Sequence, residues 1–374
     1  MTLTKILKLF TIVFLLATLS SFAQTTNIPD GNFEQALIDL GYDTGAIDGS
    51  VPTDNIKNIT ALNVSNRNIS DLTGIEDFAA LKNLNCSSNK LTNLDLTKNT
   101  ALTSLYCQQN NISSLDISKN VLLTTLLCYR NKLTSLDVSK NTMLIVLFCA
   151  NNKLTSLDVS NNIALRNLYC YYNQLTSLDL SRNTALIRLD CFRNELVDLD
   201  VSQNTNLEHL YCYNNQITNL DLSGNTALRT LNCSNNILSS LNLNNGNNTN
   251  IDRFFARNNP DLNCITVDDP AYSTANWTNV DAQVIFSINC NPLSTNEFEL
   301  DGLSIYPNPF QSELNVSILD NANYTLINAN GQTVKSGNLM IGDNKFNLAS
   351  LANGMYYLII KTETGMASKK VIKY

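Results

Sequence analysis

Residues 168–194 read LYCYYNQLTSLDLSRNTALIRLDCFRN and contain two cysteines, Cys170 and Cys191, which are 21 residues apart. The same interval links an unbroken series of eight cysteines: Cys86, Cys107, Cys128, Cys149, Cys170, Cys191, Cys212 and Cys233. A leucine stands two positions before each of them, and an asparagine stands three positions after. A fixed period of this length is typical of a solenoid, in which each repeat forms one coil.

Each repeat contains two short stretches in which side chains alternate. In the first, Leu168 and Cys170 share one face and Tyr169 lies on the other; in the second, Asp179 lies opposite its two leucine neighbours. Alternation with period two predicts half-buried strands. Asn, Ser and Thr between the stretches favour turns over helix. The predicted coil is strand, corner, strand, corner, and stacked coils form parallel sheets with rungs ~4.8 Å apart.

The repeat, L-x-x-L-x-C-x-x-N-x-L, resembles the leucine-rich repeat, with Cys in place of the middle Leu. The resemblance covers residues 59–262 and implies a mainly β solenoid of about ten coils. Val64 in the first copy and Ala256 in the last occupy the cysteine position. This position therefore accepts small apolar groups, and we expect eight reduced, buried thiols. A single column of thiols offers no tetrahedral zinc site and poor geometry for disulfides between rungs.

Asparagine marks both corners of the coil. One series is the asparagine that follows each cysteine, such as Asn173, and the other includes Asn162 and Asn183. A buried amide can satisfy backbone groups that a corner leaves unpaired. We therefore interpret both series as structural ladders.

The chain begins with the features of a secretory signal peptide, residues 1–23, with cleavage predicted between Ala23 and Gln24. Residues 24–58 are predicted to form a small helical cap on the first coil, with Asp30 at the helix N-terminus and Gly41 after its end. Phe33, Leu37 and Leu40 are expected to pack onto the solenoid. Three aspartates nearby lack the spacing of a calcium loop, so we predict a solvated loop.

A second cap is predicted for residues 263–291, where Cys264 and Cys290 fall outside the 21-residue series. In a secreted protein such a pair is expected to form a disulfide. A linker, residues 292–302, precedes a segment of about seven strand-like runs, residues 303–374, which predicts a small β-sandwich.

The last segment also resembles the C-terminal sorting domain of the type IX secretion system of Bacteroidetes-like bacteria. The matching motifs are Ile305–Phe310, Gly354–Ile359 and Lys369–Lys373. The resemblance implies export through the periplasm and across the outer membrane, with the type IX machinery as a partner. The protein would then be secreted or attached to the outer cell surface.

Charge and hydropathy exclude several partners. The net charge is −7, and the signal peptide carries two lysines and no acid, so its removal lowers the charge to −9. An acidic surface argues against nucleic acid. No later segment of the sequence is apolar and long enough to predict a transmembrane helix in the mature chain.

No catalytic or phosphate-binding motif is present, and the lone histidine, His209, is interpreted as an exposed sheet residue. We therefore predict that the protein is not an enzyme and needs no metal or other cofactor. Seven aspartates on the second stretch, including Asp179, form a column of like charge. We expect this column to be solvated and partly compensated by basic residues three positions later.

The two outward faces differ in composition. Beside the cysteines, eight of sixteen outward positions are aromatic, whereas none is aromatic on the aspartate stretch. Exposed aromatic patches mark interaction sites. The predicted function is recognition of a protein or glycan ligand, and the alternative is self-association in a structural surface layer. Cross-strand stabilisation is a third explanation for the aromatic residues. The predicted ligand-binding residues are Tyr106, Tyr129, Phe148, Tyr169, Tyr171, Tyr172, Phe192, Arg193, Tyr211 and Tyr213.

Overall fold

The computed structural model describes residues 24–290, 302–329, 331–362 and 366–374. These residues fall into two compact units, divided after Cys290. The predicted signal peptide, with Ala23, lies outside the described residues, as does the predicted linker apart from Gly302. Gln24 is described and is exposed. Within the described ranges, no helix is long and apolar enough to cross a membrane.

The first unit contains three α-helices and sixteen strands in its described residues. The helices are α1 (Gly31–Asp39), α2 (Thr53–Ile56) and α3 (Pro270–Asn276), with 3₁₀ turns at Ile75–Asp77 and Asn248–Asn250. The strands are β1 (Thr25–Asn27), β2 (Ser50–Pro52), β3 (Ala61–Asn63), β4 (Asn83–Asn85), β5 (Ser104–Tyr106), β6 (Thr125–Leu127), β7 (Val146–Phe148), β8 (Asn167–Tyr169), β9 (Arg188–Asp190), β10 (His209–Tyr211), β11 (Asn219–Asp221), β12 (Thr230–Asn232), β13 (Ser240–Leu243), β14 (Arg253–Phe255), β15 (Cys264–Val267) and β16 (Ile285–Ser287).

The cysteine side of the coils forms one ten-stranded parallel sheet, in which β3 to β10, then β12 and β14, follow one another. Equivalent residues pair between coils, as Leu168 pairs with Leu147 and Leu189. The sheet confirms the predicted solenoid. The leucine and cysteine side chains point inward and are fully buried, and all eight cysteines of the series are free. Each coil exposes its apolar face until a neighbour covers it, so burial is shared along the stack.

The opposite side of the coils differs from the prediction. Strands were expected there in every coil, but they form only near the end, in the sheet of β11, β13, β15 and β16. Backbone bonds between coils appear there, as from Ser239 N to Thr218 O at 2.8 Å. In the earlier coils, some backbone N–H groups of this segment find acceptors within the same coil. For example, Asp179 Oδ1 accepts a hydrogen bond from the backbone N–H of Ser181 at 2.9 Å.

The two asparagine ladders have the predicted structural role. Asn173 Nδ2 donates to the carbonyls of Cys170, at 3.0 Å, and Cys149, at 3.2 Å, while its Oδ1 accepts from Leu154 N at 3.0 Å. In the second ladder Asn183 Nδ2 donates to two carbonyls of the preceding coil. Each amide therefore connects its own coil to the one before it and satisfies buried backbone groups.

The N-terminal cap follows the prediction with one exception. Asp30 Oδ1 accepts from the backbone N–H groups of Asn32, at 2.9 Å, and Phe33, at 3.1 Å, and so caps α1. Phe33 and Leu37 are fully buried. Leu40 remains 40% exposed, so the prediction that it packs on the solenoid is wrong. The helix ends at residue 39, and Leu40 faces solvent as its C-cap.

The C-terminal cap contains the disulfide between Cys264 and Cys290, whose Cα atoms are 5.5 Å apart. Strands β15 and β16 extend the second sheet into this segment. Trp277 follows α3 and is buried; its ring stacks on Phe254 of the last coil, with centroids 4.4 Å apart. The cap thus covers the apolar end of the stack.

The second unit is a two-sheet antiparallel β domain, as predicted. Its described strands are β17 (Ser304–Tyr306), β18 (Glu313–Ile318), β19 (Ala322–Asn328), β20 (Thr333–Leu339), β21 (Gly342–Asn347), β22 (Gly354–Lys361) and β23 (Met366–Lys373), in the orders β17-β18-β21 and β20-β19-β22-β23. Phe310 is fully buried in its core. Asn308, from the same motif, donates to Lys370 O at 2.8 Å and accepts from Ile372 N at 2.9 Å. The motif therefore holds the last strand in place.

Thiol reactivity tests the buried cysteine column. Burial raises the pKa of Cys107, Cys149 and Cys212 to about 12, so at pH 8 these thiols are protonated as well as inaccessible. We expect a colorimetric disulfide reagent at pH 8 to modify none of the eight thiols in the native chain and all eight in guanidinium chloride. Rapid modification of the native chain would contradict this arrangement.

An asparagine exchange tests the ladders. Asn173→Ala removes the bonds donated to the Cys149 and Cys170 carbonyls and the bond accepted from Leu154 N at a partly buried corner, so we expect a loss of roughly 2–4 kcal/mol in the free energy of unfolding. The matched control is Asn206→Ala, whose amide makes one exposed bond to Thr184 O and should lose about 0.5 kcal/mol. Urea unfolding measures both, and equal losses would rule out a structural role for the ladder.

Candidate ligand-binding face

Outward side chains of β5 to β10, with the two residues after each inward cysteine, form a surface that we call the aromatic face. Alternation along each strand aims these side chains away from the core. All ten residues predicted for ligand binding lie on it. Four end their strands (Tyr106, Phe148, Tyr169 and Tyr211), and the other six follow a cysteine by one or two positions.

Most rings on this face stack on one another across neighbouring coils. Ring centroids are 4.3 Å apart between Tyr129 and Phe148, and 4.7 Å apart between Phe148 and Tyr169. Phe192 lies between Tyr171, at 4.4 Å, and Tyr213, at 4.3 Å, with planes only 8° and 9° apart. Cross-strand packing, the third explanation drawn from the sequence, is therefore present. The rings remain half-buried, so they also keep a solvent-facing edge.

An ion pair lies in the middle of the face. Arg188 donates from Nε to Asp190 Oδ1 at 2.9 Å and from Nη2 to Oδ2 at 3.0 Å. Its guanidinium carbon lies 5.4 Å from the Tyr169 ring centroid and 5.1 Å from that of Tyr211. A bidentate pair between two rings is rigid and has few alternative rotamers. Asp190 is only 5% exposed.

Burial raises the pKa of several groups in this region. Desolvation raises the pKa of Asp190 above its usual value, and it outweighs the opposing effects of Arg188 and His209. Desolvation also raises the pKa of Tyr169, Tyr171 and Tyr213. The tyrosine hydroxyls therefore stay protonated at neutral pH and can act as hydrogen-bond donors.

The position two residues after each cysteine has a left-handed backbone. The φ angle is 54° at Arg130, 52° at Tyr172 and 54° at Arg193, and it is 54° at Asn151 and Asn214 in the same column. Asparagine tolerates this conformation, whereas other side chains with a Cβ lose about 1–2 kcal/mol. Three coils of the aromatic face thus carry a strained Arg or Tyr where asparagine would be more stable.

The charge of the face is opposite to that of the chain. It carries Arg130, Arg188 and Arg193 against a single carboxylate, Asp190, which Arg188 already pairs. Among the described residues, no carboxylate forms an ion pair with Arg130 or Arg193. Arg193 instead lies over the Tyr172 ring, 4.7 Å from its centroid. The face is therefore locally cationic on a protein of net charge −7.

The aspartate column lies on the other side, and its carboxylates accept hydrogen bonds from residues nearby in sequence. Hydrogen bonds from the backbone and side chain two residues on lower the pKa of Asp95 and Asp116. The lysines that follow, Lys98 and Lys119, lower these pKa values too, as smaller contributions. Within the described ranges, no three His, Cys, Asp or Glu residues group as metal ligands would. Each carboxylate therefore stabilises the turn in which it lies.

Sequence reasoning did not select two further groups of residues. The first group is Arg188 and Asp190, because the repeat pattern places both near the aromatic residues but does not show that their side chains pair. Exposed aliphatic side chains also occupy the corners before β6, β7 and β8: Val121, Leu122, Met143, Ile145 and Ile163. The signal was available, because all of these residues except Ile145 depart from the N-T-A-L consensus seen at residues 99–102 and 183–186.

Comparison with known proteins supports the fold. Residues 304–374 match the family described as "Secretion system C-terminal sorting domain", and residues 205–254 match "Leucine Rich repeats (2 copies)". An internalin, InlF, from Listeria monocytogenes is 21% identical, with 71% of this chain and 93% of that chain covered and a TM-score of 0.53. That likeness shows a shared fold.

Two other solved structures are similar. The functional domain of InlJ from Listeria monocytogenes, which "includes a cysteine ladder", is 22% identical, with 94% of this chain and 99% of that chain covered and a TM-score of 0.43. YopM from Yersinia enterocolitica is 24% identical, with 50% of this chain and 39% of that chain covered and a TM-score of 0.41. No curated protein matches the chain.

The coils, their consensus and the matched repeats define a leucine-rich-repeat protein. Its C-terminal unit is a sorting domain of type IX secretion, which directs the protein to the cell surface or outside.

Replacing each partner of the Arg188–Asp190 ion pair in turn tests how much stability depends on each partner. Arg188→Met leaves the buried Asp190 carboxylate without its two N–H donors, so we expect a loss of roughly 3 kcal/mol at pH 7.5. Asp190→Asn leaves a guanidinium that solvent reaches, with 34% of its side chain exposed, and should lose about 1 kcal/mol.

The loss in Arg188→Met should shrink as the pH falls. The pKa of Asp190 is raised in the folded state. The stability that its protonated form contributes is therefore present in full below the pKa of the unfolded chain, and it is lost as the pH rises through the pKa of the folded chain. Urea unfolding at pH 7.5 and about pH 4.5 measures this, in a His209→Gln background that removes the neighbouring imidazole. A loss that does not change with pH would contradict the buried pair.

Proposed function

We propose that this protein is a secreted or surface-attached, non-enzymatic recognition protein, which binds a protein or glycan ligand through its aromatic face. The observation that carries the proposal is the row of half-buried rings along adjacent coils, Tyr129, Phe148, Tyr171, Phe192 and Tyr213, which have a solvent-facing edge. Rigid aromatic side chains provide contact area at little entropic cost.

The contrast between the two sides of the solenoid supports this choice. The aspartate side repeats the same turn in coil after coil, with each Asp bonded to its own backbone. The aromatic face varies from coil to coil and includes charges that its own fold does not pair. Solenoids commonly use such extended surfaces for binding. The sorting domain places the face outside the cell, where ligands are encountered.

The test is a binding screen with the mature full-length chain against protein and glycan arrays. We expect Tyr171→Ser plus Tyr213→Ser to weaken binding at least tenfold, about 1.4 kcal/mol, because it removes both rings that stack on Phe192. The control is Val197→Ser plus Ile237→Ser, which changes two exposed aliphatic side chains outside the face. Circular dichroism checks that each variant folds.

Sedimentation velocity separates recognition from the alternative, a self-associating surface-layer protein. A monomer at all concentrations, with array binding that depends on Tyr171 and Tyr213, supports recognition. A concentration-dependent oligomer that the same variant abolishes would replace recognition with self-assembly. Turnover of any substrate that depends on one residue would overturn the non-enzymatic part of the proposal.

A further inference from the structure

Three residues with side chains on the aromatic face have a strained, left-handed backbone conformation. Arg130, Tyr172 and Arg193 have φ values of 52° to 54°, in a column where Asn151 and Asn214 adopt the same angle at a lower cost. The repeat therefore offers a more stable residue at these positions, and other coils use it. Strained residues are common at functional sites. Ser88 and Gln109 in the same column also adopt this angle, with φ of 55° and 57°, but only the three residues beside the stacked rings carry a charged or aromatic side chain there.

The geometry of these side chains indicates what they can bind. The guanidinium carbon of Arg193 lies over the Tyr172 ring, 4.7 Å from its centroid. A stacked guanidinium keeps its N–H edge free for a carboxylate, which it can bind in bidentate fashion. At the edges of the face, Lys132, Lys153 and Arg166 add positive charge, which Glu195 and Glu208 at equivalent positions of later coils partly offset. A partner with clustered carboxylates is therefore complementary to this face.

The stacked rings favour a polypeptide over a sugar. A pyranose ring binds aromatic residues by placing its C–H groups on an open ring face. The faces of Phe192 are covered by Tyr171 and Tyr213, at 4.4 Å and 4.3 Å, in nearly parallel planes. Ring edges and tyrosine hydroxyls remain, and these contact apolar and aromatic side chains edge-on and donate hydrogen bonds.

Building on the proposed function, we infer that Arg130, Tyr172 and Arg193 form a cationic clamp that binds an acidic polypeptide segment containing aromatic side chains. The carboxylates of that segment pair with the two arginines, and its apolar side chains contact the exposed edges of Tyr171, Phe192 and Tyr213. Arg188 is not part of the clamp, because its Nε and Nη2 already donate to Asp190, which neutralises its charge.

The experiment measures fluorescence anisotropy of a labelled random copolymer of glutamate and tyrosine with the mature full-length chain. Arg130→Asn and Arg193→Asn should each weaken binding about tenfold, and raising NaCl from about 50 mM to about 300 mM should weaken wild-type binding further. Because asparagine relieves the left-handed strain, neither variant should lower the midpoint of thermal unfolding. The weaker binding then cannot come from unfolding.

The matched control is Ser88→Asn, which changes the same column on a coil outside the aromatic face, where φ is 55°. It should leave copolymer affinity unchanged. Equal affinity of wild type and both arginine variants would overturn the clamp, as would a loss of affinity in Ser88→Asn. Binding of polygalacturonate without binding of the copolymer would also overturn it, in favour of an acidic glycan.

The clamp and the proposed function can fail separately. If an array ligand is lost with Tyr171→Ser plus Tyr213→Ser but retained by both arginine variants, the aromatic face is a binding site and the clamp is wrong. If the tyrosine variant retains every ligand, the proposed function itself is wrong.

Discussion

The structure depends on one constraint: a single coil cannot bury its own apolar side. Three-residue strands such as β8 are too short to be stable alone, and each leucine and cysteine is covered only when the next coil stacks on it. The asparagine ladder makes the stacking specific, because Asn173 bonds to the carbonyls of its own cysteine and of Cys149 in the coil before. Hydrophobic burial thus drives the stack, and the amides keep its rungs in register.

Because the interior is uniform, the outward positions are free to vary. A change from Asn232 to Asp190 or Tyr211 at equivalent outward positions leaves the inward leucine and cysteine in place. The central coils use this freedom for ring stacks, a buried ion pair and strained basic residues. None of these is needed by the coil itself, since outer coils form the same sheet with Asn and Ser.

The repeated core was predictable from sequence because it rests on local rules applied many times. Period-two alternation, the cysteine interval and corner asparagines each predicted a feature that the structure contains. The predictions failed where three-dimensional contacts, rather than the repeat pattern, determine the structure. Leu40 is apolar, yet α1 ends just before it and leaves it in solvent. The second strand of the early coils is absent although its alternation persists. Periodicity does not predict the Arg188–Asp190 pair, because it does not show that the Arg188 side chain lies between the rings of Tyr169 and Tyr211.

Acidic and basic groups are segregated by different physical means, which shapes how a partner approaches. Asp137, Asp158 and Asp179 are each held by hydrogen bonds within their own turn, which lower their pKa and keep the column charged down to acidic pH. In the part of the chain that the structure describes, Arg130 and Arg193 of the aromatic face form no ion pair. An acidic partner is therefore repelled from the aspartate side and attracted to the aromatic side. Binding there removes an unpaired charge, whereas binding at the aspartate column would have to break a turn that is already satisfied.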